Sequence, residues 1–192
     1  HFLDVLATKL SRGGLSHIVG VPTSIWTARE AREAGIEVIG LADREKVDLT
    51  VDGADEVSPE LDLLKGLGGA LVREKIVAKA SRRVVIVVDD SKLVDHLGTR
   101  APIPVEVIPI AATLVADALR AIGGESKLRL RAGEPFVSDN GNLVVDWQCG
   151  TISEPSFRCG LGRVSRDTQE PTRRDLRHLP GYSQARRAWR PF

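Results

Sequence analysis

Val84–Val88 reads VVIVV, five β-branched residues in a row. Such side chains are stiff about χ1 and pack well on a pleated surface. The run has no polar alternate positions to turn toward water. As a strand it therefore needs cover on both faces, the situation of strands in parallel sheets flanked by helices. The segments before it agree. His17–Val21, Ile36–Leu41 and Val47–Val51 read as short strands. Between the first two, Ser24–Ala34 reads as a helix that Thr23 or Ser24 caps and Gly35 ends. Leu71–Ala80 reads as a second helix with Leu71, Val72, Ile76, Val77 and Ala80 on one face. Strands alternating with helices predict an α/β fold, a Rossmann-like parallel-sheet domain.

The pattern changes at Pro102–Pro109, where three prolines mark a connector or domain crossing. After it Ala111–Ile122 reads as a helix ending at Gly123-Gly124. Lys127–Leu130 and Leu143–Trp147 read as strands, the second preceded by the turn Asp139-Asn140-Gly141. The expected organisation is a catalytic domain over residues 1–103, a small α+β domain over 104–155 and an atypical segment over 156–192. That last segment carries nine arginines, three acidic residues and no lysine. It reads as translation in a shifted frame, with a polyanion-binding tail as the alternative.

At 42% hydrophobic residues the chain can fill a core. It has no apolar run of about 18 residues, so no membrane span is expected. No signal peptide is evident. Cys149 and Cys159 lack zinc-type partners and the four histidines are scattered, which points to a reduced cytoplasmic setting and no metal. The absence of methionine leads to the expectation that residues precede His1.

The chemistry concentrates in residues 51–76, VDGADEVSPELDLLKGLGGALVREKI. Asp52 and Asp55 follow a strand; Lys65, the turn Gly66-Leu67-Gly68-Gly69 and a helix opening on Arg73, Glu74 and Lys75 come next. Lys92, in Asp89-Asp90-Ser91-Lys92, follows another strand. In an open parallel sheet ligands sit off the carboxyl ends of the strands, so these groups share an edge. Taken singly each has a plainer reading: an Asp in a turn or cap, a surface lysine, a solvated Glu between two cations, a simple glycine turn. Together they fit proton abstraction beside a carbonyl. A carboxylate held about 3 Å from the C–H acts as base. A cation and backbone N–H groups meet the developing oxyanion.

VDGADEV, LLKGLGGALVREKI, VVDDSKLVDHLG and PIPVEVIP resemble, in order and spacing, the signature blocks of ribose-5-phosphate isomerase type A. The likeness runs from His1 to about Pro155. It implies a Rossmann-like domain with a small ferredoxin-like α+β domain, usually in a homodimer or homotetramer. It implies interconversion of ribose 5-phosphate and ribulose 5-phosphate through an enediolate, without cofactor, in the pentose phosphate pathway. Residue by residue, it implies Glu74 as the base, Asp52 as the acid for ring opening, and Asp55 and Lys65 as ligands of the sugar hydroxyls and enediolate. Gly68, Gly69 and Ala70 would line the site with backbone, and Lys92 would help hold the substrate. The resemblance implies a phosphosugar as partner, with neither nucleic acid nor membrane. It leaves a plastid location open beside the cytoplasmic one.

The chain departs from the family in two places. The family's GxGTGST-type phosphate loop has no counterpart from His1 onward, and a molecule without it is expected to turn over poorly. The family's closing helix and strand have no counterpart after Pro155. Two rivals stay open: a sugar-phosphate deaminase or CoA transferase of related architecture, and a sugar-phosphate sensor that does not turn over.

Overall fold

Ser24 has the short hydroxyl side chain that helix starts favour, and it sits at the N-cap of helix α2 (Ile25–Glu33), accepting a hydrogen bond from the Thr27 amide at 2.9 Å. In the computed structural model, which describes residues 2–43 and 46–152, this helix joins strand β1 (Val19–Gly20) to strand β2 (Glu37–Val38). The two strands pair in parallel. Helix α1 (Phe2–Ser11) precedes them. Strand β3 (Val47–Asp52) and strand β6 (Ser81–Ile86) form a second parallel pair, registered from Val47 opposite Ser81 to Asp52 opposite Ile86. Helix α3 (Leu71–Ala80) links them and packs on both. Between β3 and α3 lies a short antiparallel ladder of β4 (Glu56–Val57) and β5 (Leu63–Leu64).

The second half is an antiparallel sheet in the order β7 (Ile103–Val107), β11 (Leu143–Gln148), β8 (Glu125–Leu128), with helix α4 (Ala112–Ile122) on it. A minor hairpin, β9 (Leu130–Arg131) with β10 (Glu134–Pro135), follows β8. One apolar cluster contains Leu64, Val94, Leu97 and Ala101 together with Ile103, Leu119, Val145 and Trp147. It therefore draws on residues from both sides of position 103. Trp147 is 1% exposed, and its indole N–H donates to the Gly123 carbonyl at 2.8 Å. Burying one large apolar side chain contributes about 1.5–3 kcal/mol, so this shared cluster is a strong tie.

Several expectations need correction. The β-branched run does not form a strand over Val84–Val88. The strand starts earlier, at Ser81, and alternates: Val84 and Ile86 are half-buried, whereas Val85 and Val87 are 37% and 61% exposed. Helix α3 covers the pair, and β6 has only β3 beside it among the described residues. The proline-rich 102–109 stretch is not a connector but holds strand β7, with Pro104 opposite Asp146. Pro104 is tolerated because β7 is an edge strand among the described residues, where no ladder partner needs its missing N–H. On α3 the expected apolar face packs only in part: Val77 is buried and Leu71 and Ala80 are half-buried, whereas Val72 and Ile76 are 36% and 50% exposed. The strands expected at 17–21 and 36–41 shrink to two residues each, and the one expected at 127–130 ends at Leu128. The 156–192 segment and the 155 boundary lie outside the described residues.

Candidate active site

Strand β3 ends on Asp52, and the chain turns at once: the Gly53 amide donates to Asp52 Oδ1 at 2.7 Å. Lys65, at the end of the β4–β5 ladder, reaches back across this turn. Its ammonium lies 2.9 Å from Asp52 Oδ2 and also donates to the Gly53 carbonyl. The same ammonium is 3.3 Å from Glu74 Oε2. One cation thus stands between two carboxylates that are 22 positions apart in sequence. All three side chains are largely shielded, with 24%, 19% and 17% of their surfaces exposed for Lys65, Asp52 and Glu74.

Glu74 reaches this position because it lies three residues before the buried Val77, on the face of α3 that turns inward. Burial raises its pKa above the ordinary carboxylate value, the Lys65 charge opposes that rise, and the Asp52 and Asp55 charges add to it. A carboxyl so placed is a better proton acceptor than one in water.

Asp55 works on the neighbouring turn. Its Oδ2 accepts from the Leu67 amide at 3.0 Å, and its own amide donates to the Leu64 carbonyl at 2.8 Å. The glycine turn closes on itself through the Gly69 amide and the Gly66 carbonyl, 3.0 Å apart. Gly69 has φ +89°, and a Cβ there would overlap the Phe136 ring, so both backbone conformation and space demand glycine. Ala70 caps α3 without a side-chain hydrogen bond, which leaves the first-turn amides of the helix for another partner. Beside Gly68 there is open space.

The structure therefore brings Asp52, Lys65 and Glu74 into direct contact, with Asp55, Gly68, Gly69 and Ala70 on the adjoining turn. Lys92 stands apart. It lies on a 3-10 turn (Asp90–Lys92) that the Val57–Leu93 bridge sets beside β4, and no hydrogen bond or ion pair joins it to the other three. A cavity of about 370 Å³ lies elsewhere, lined by Val21, Pro22, Ile39, Leu41, Arg73 and Ile76 among others, and contains none of these residues. Among the described residues no group of three or more His, Cys, Asp or Glu side chains is placed to hold a metal. No helix among them is long and apolar enough to cross a membrane.

The model of the family described as ribose 5-phosphate isomerase A (phosphoriboisomerase A) matches residues 19–160. The chain belongs to the ribose 5-phosphate isomerase A family. Its relatives include the ribose-5-phosphate isomerase A of Chloroflexus aurantiacus, 54% identical over 153 residues, which cover 79% of this chain and 64% of that protein. That of Gloeobacter violaceus is 48% identical over 155 residues, covering 80% and 66%. The chain thus spans just under two thirds of the length of these curated relatives. Among solved structures, a D-ribose-5-phosphate isomerase in complex with phospho-erythronic acid superposes with a TM-score of 0.78 at 39% identity, over 81% of this chain and 69% of that one. The Methanocaldococcus jannaschii ribose 5-phosphate isomerase A superposes with a TM-score of 0.74 at 38% identity, over 80% and 68%.

Within this member of the ribose 5-phosphate isomerase A family, four supporting residues escaped the sequence reading. Glu56, in the DGADE block, is 1% exposed and accepts the amides of Gly98, Arg100 and Ala101 at 2.5, 2.6 and 2.8 Å. Its place in the block was visible; its direction, away from the site, was not. Arg73, next to Glu74, donates to Asn140 Oδ1 and the Asp139 carbonyl, both at 2.7 Å. Asp139 in turn accepts the Ile25 amide at 2.6 Å, so the turn before β11 ties α3 to the start of α2. Arg129 and Phe136 contact the glycine turn and carry no motif signal.

Proposed function

We propose that this protein interconverts ribose 5-phosphate and ribulose 5-phosphate, with Glu74 moving the proton. The observation that carries this reading is Lys65 between the Glu74 and Asp52 carboxylates, in a shielded site at a strand end. Membership of the ribose 5-phosphate isomerase A family supports it. Asp52 relays a proton as the furanose opens: its carboxylate takes the O1 hydroxyl proton while the C1–ring-oxygen bond breaks and passes a proton to the ring oxygen, leaving the C1 aldehyde. Glu74 then takes the proton from C2 of the open-chain aldose, and the C1 carbonyl oxygen gains the negative charge. Lys65 and the amides of Gly68 and Ala70 stabilise that enediolate, with Gly69 lining the site between them, fixed donors being worth more in a water-poor site than in bulk. Glu74 returns the proton to C1, while a hydroxyl proton passes from O2 to O1, and the ketose results. Asp55 binds the sugar hydroxyls, and Lys92 meets a more distant part of the substrate. An oligomer of two or four copies in the cytoplasm belongs to the same proposal.

The test is ribose 5-phosphate in deuterium oxide, with ketose formation and deuterium at C1 followed by NMR. Both are expected with the wild-type chain, at a low rate where the phosphate loop is lacking. Glu74→Gln is expected to lower the rate by about 10²–10⁴, the usual worth of a positioned general base. Equal rates in the two proteins would remove Glu74 from its role. No exchange with either would sink the reading.

A further inference from the structure

We propose that Arg129 is a positioning residue for the glycine turn of the Lys65–Glu74 site, a role that rests on the function proposed above. Arg129 lies between β8 and β9, where its amide donates to the Val144 carbonyl at 2.8 Å and its carbonyl accepts the Phe136 amide at 2.9 Å. The residue is thus clamped on both sides by backbone. Its guanidinium is held as well. Nε donates to Asp146 Oδ2 at 2.9 Å and Nη2 to Oδ1, a forked pair with the carboxylate. The Phe136 ring lies against it, 5.7 Å from centroid to guanidinium carbon. Only 12% of the side chain is exposed.

The remaining nitrogen, Nη1, points at the glycine turn. It donates to the Leu67 carbonyl at 2.8 Å and to the Gly66 carbonyl at 3.3 Å. Asp55 holds the same turn by the Leu67 amide. Two charged side chains thus grip one turn, a cation on its carbonyls and an anion on an amide. The Phe136 ring fills the space where Gly69 lacks a side chain. With its carbonyls directed to Arg129, the turn keeps the Gly68 and Ala70 amides free of backbone partners, one residue beyond Leu67 and at the cap of the helix that carries Glu74. A planar, forked cation suits this task because it meets Asp146 and two carbonyls at once. A lysine ammonium cannot hold all three in one plane.

The chain carrying Arg129→Lys tests this, with Asp146→Asn as a milder variant should the first fold poorly. Amide hydrogen exchange and the kcat and KM for ribose 5-phosphate are measured together. Exchange at the Leu67 and Gly69 amides, the two that are hydrogen-bonded in the turn, is expected to quicken at least tenfold while β7 and β11 exchange as in the wild type. The kcat is expected to fall at least tenfold with KM within threefold. Asp146→Asn is expected to move both the same way by less. Unchanged exchange at the turn, or a loss of protection spread evenly through β7 and β11, would overturn the role. So would an undiminished kcat beside a loosened turn. A wild-type chain without turnover would remove the proposed function, and the contrast in exchange between turn and strands would then decide Arg129 by itself.

Discussion

Lys65 and Glu74 form an ion pair at 3.3 Å across the glycine turn that separates them along the chain, and Lys65 pairs with Asp52 at 2.9 Å on its other side. The ammonium therefore lowers the proton affinity of Glu74 from within the site, against the burial that raises it.

That arrangement predicts a pH dependence. Burial outweighs the Lys65 charge and raises the Glu74 pKa above 4.5. Protonation on acidification would remove the proposed base, so the acid limb of kcat/KM is expected above the range of a solvated glutamate. A carboxyl NMR titration of Glu74 with its midpoint at or below 4.5 would contradict this. The effect on stability has the opposite sense. A raised folded-state pKa contributes stability below the unfolded value and loses it as pH rises through the folded value. Glu74→Gln is therefore expected to unfold at higher urea than the wild type at neutral pH.

Removing the cation exposes the opposing influences. In Lys65→Met, burial and the negative charges of Asp52 and Asp55 act on Glu74 unopposed. The Glu74 midpoint is expected to rise further and kcat to fall by at least tenfold, through loss of the charge proposed to meet the oxyanion. A midpoint that stays in place would show that Lys65 does not govern this carboxyl.

Gly69→Ala asks for a left-handed backbone with a side chain, and the new methyl meets the Phe136 ring. The combined cost is expected to be about 2–4 kcal/mol in urea denaturation. Adding Phe136→Leu is expected to recover part of it, since residues in contact couple. Strictly additive losses would mean the ring is not what excludes the methyl.

Glu56 predicts a large structural effect without a part in the chemistry. Glu56→Ala strands three backbone donors in a buried place, with an expected loss of about 3 kcal/mol or more. Glu56→Gln keeps one acceptor oxygen and is expected to cost less. A loss under about 1 kcal/mol for the alanine variant, read from urea denaturation, would refute this reading.

Local order was legible where short-range chemistry decides it. Ser24 capped its helix because a hydroxyl satisfies an amide two or three residues on, whatever surrounds it. Helix α3 has the expected bounds. Burial was less legible. The VVIVV run carried the propensity for a strand but no information on how many neighbours would cover it, and Val87 is 61% exposed. The prolines of 102–109 signalled a break by their own geometry, yet an edge position lets Pro104 stay in the ladder.

The sequence by itself determined which chemical groups are present and roughly which element carries each. Asp52 follows a strand, Lys65 precedes a glycine turn, and Glu74 opens a helix, because strand, turn and helix signals act over a few residues. Only the tertiary structure decided which groups meet. Lys65 joins Asp52 and Glu74 rather than Lys92, Glu56 turns toward the 98–101 loop, and Arg129 reaches the turn from more than sixty positions away. Those contacts arise where separate elements pack against one another, and packing follows the shape and burial of the whole chain rather than local spacing.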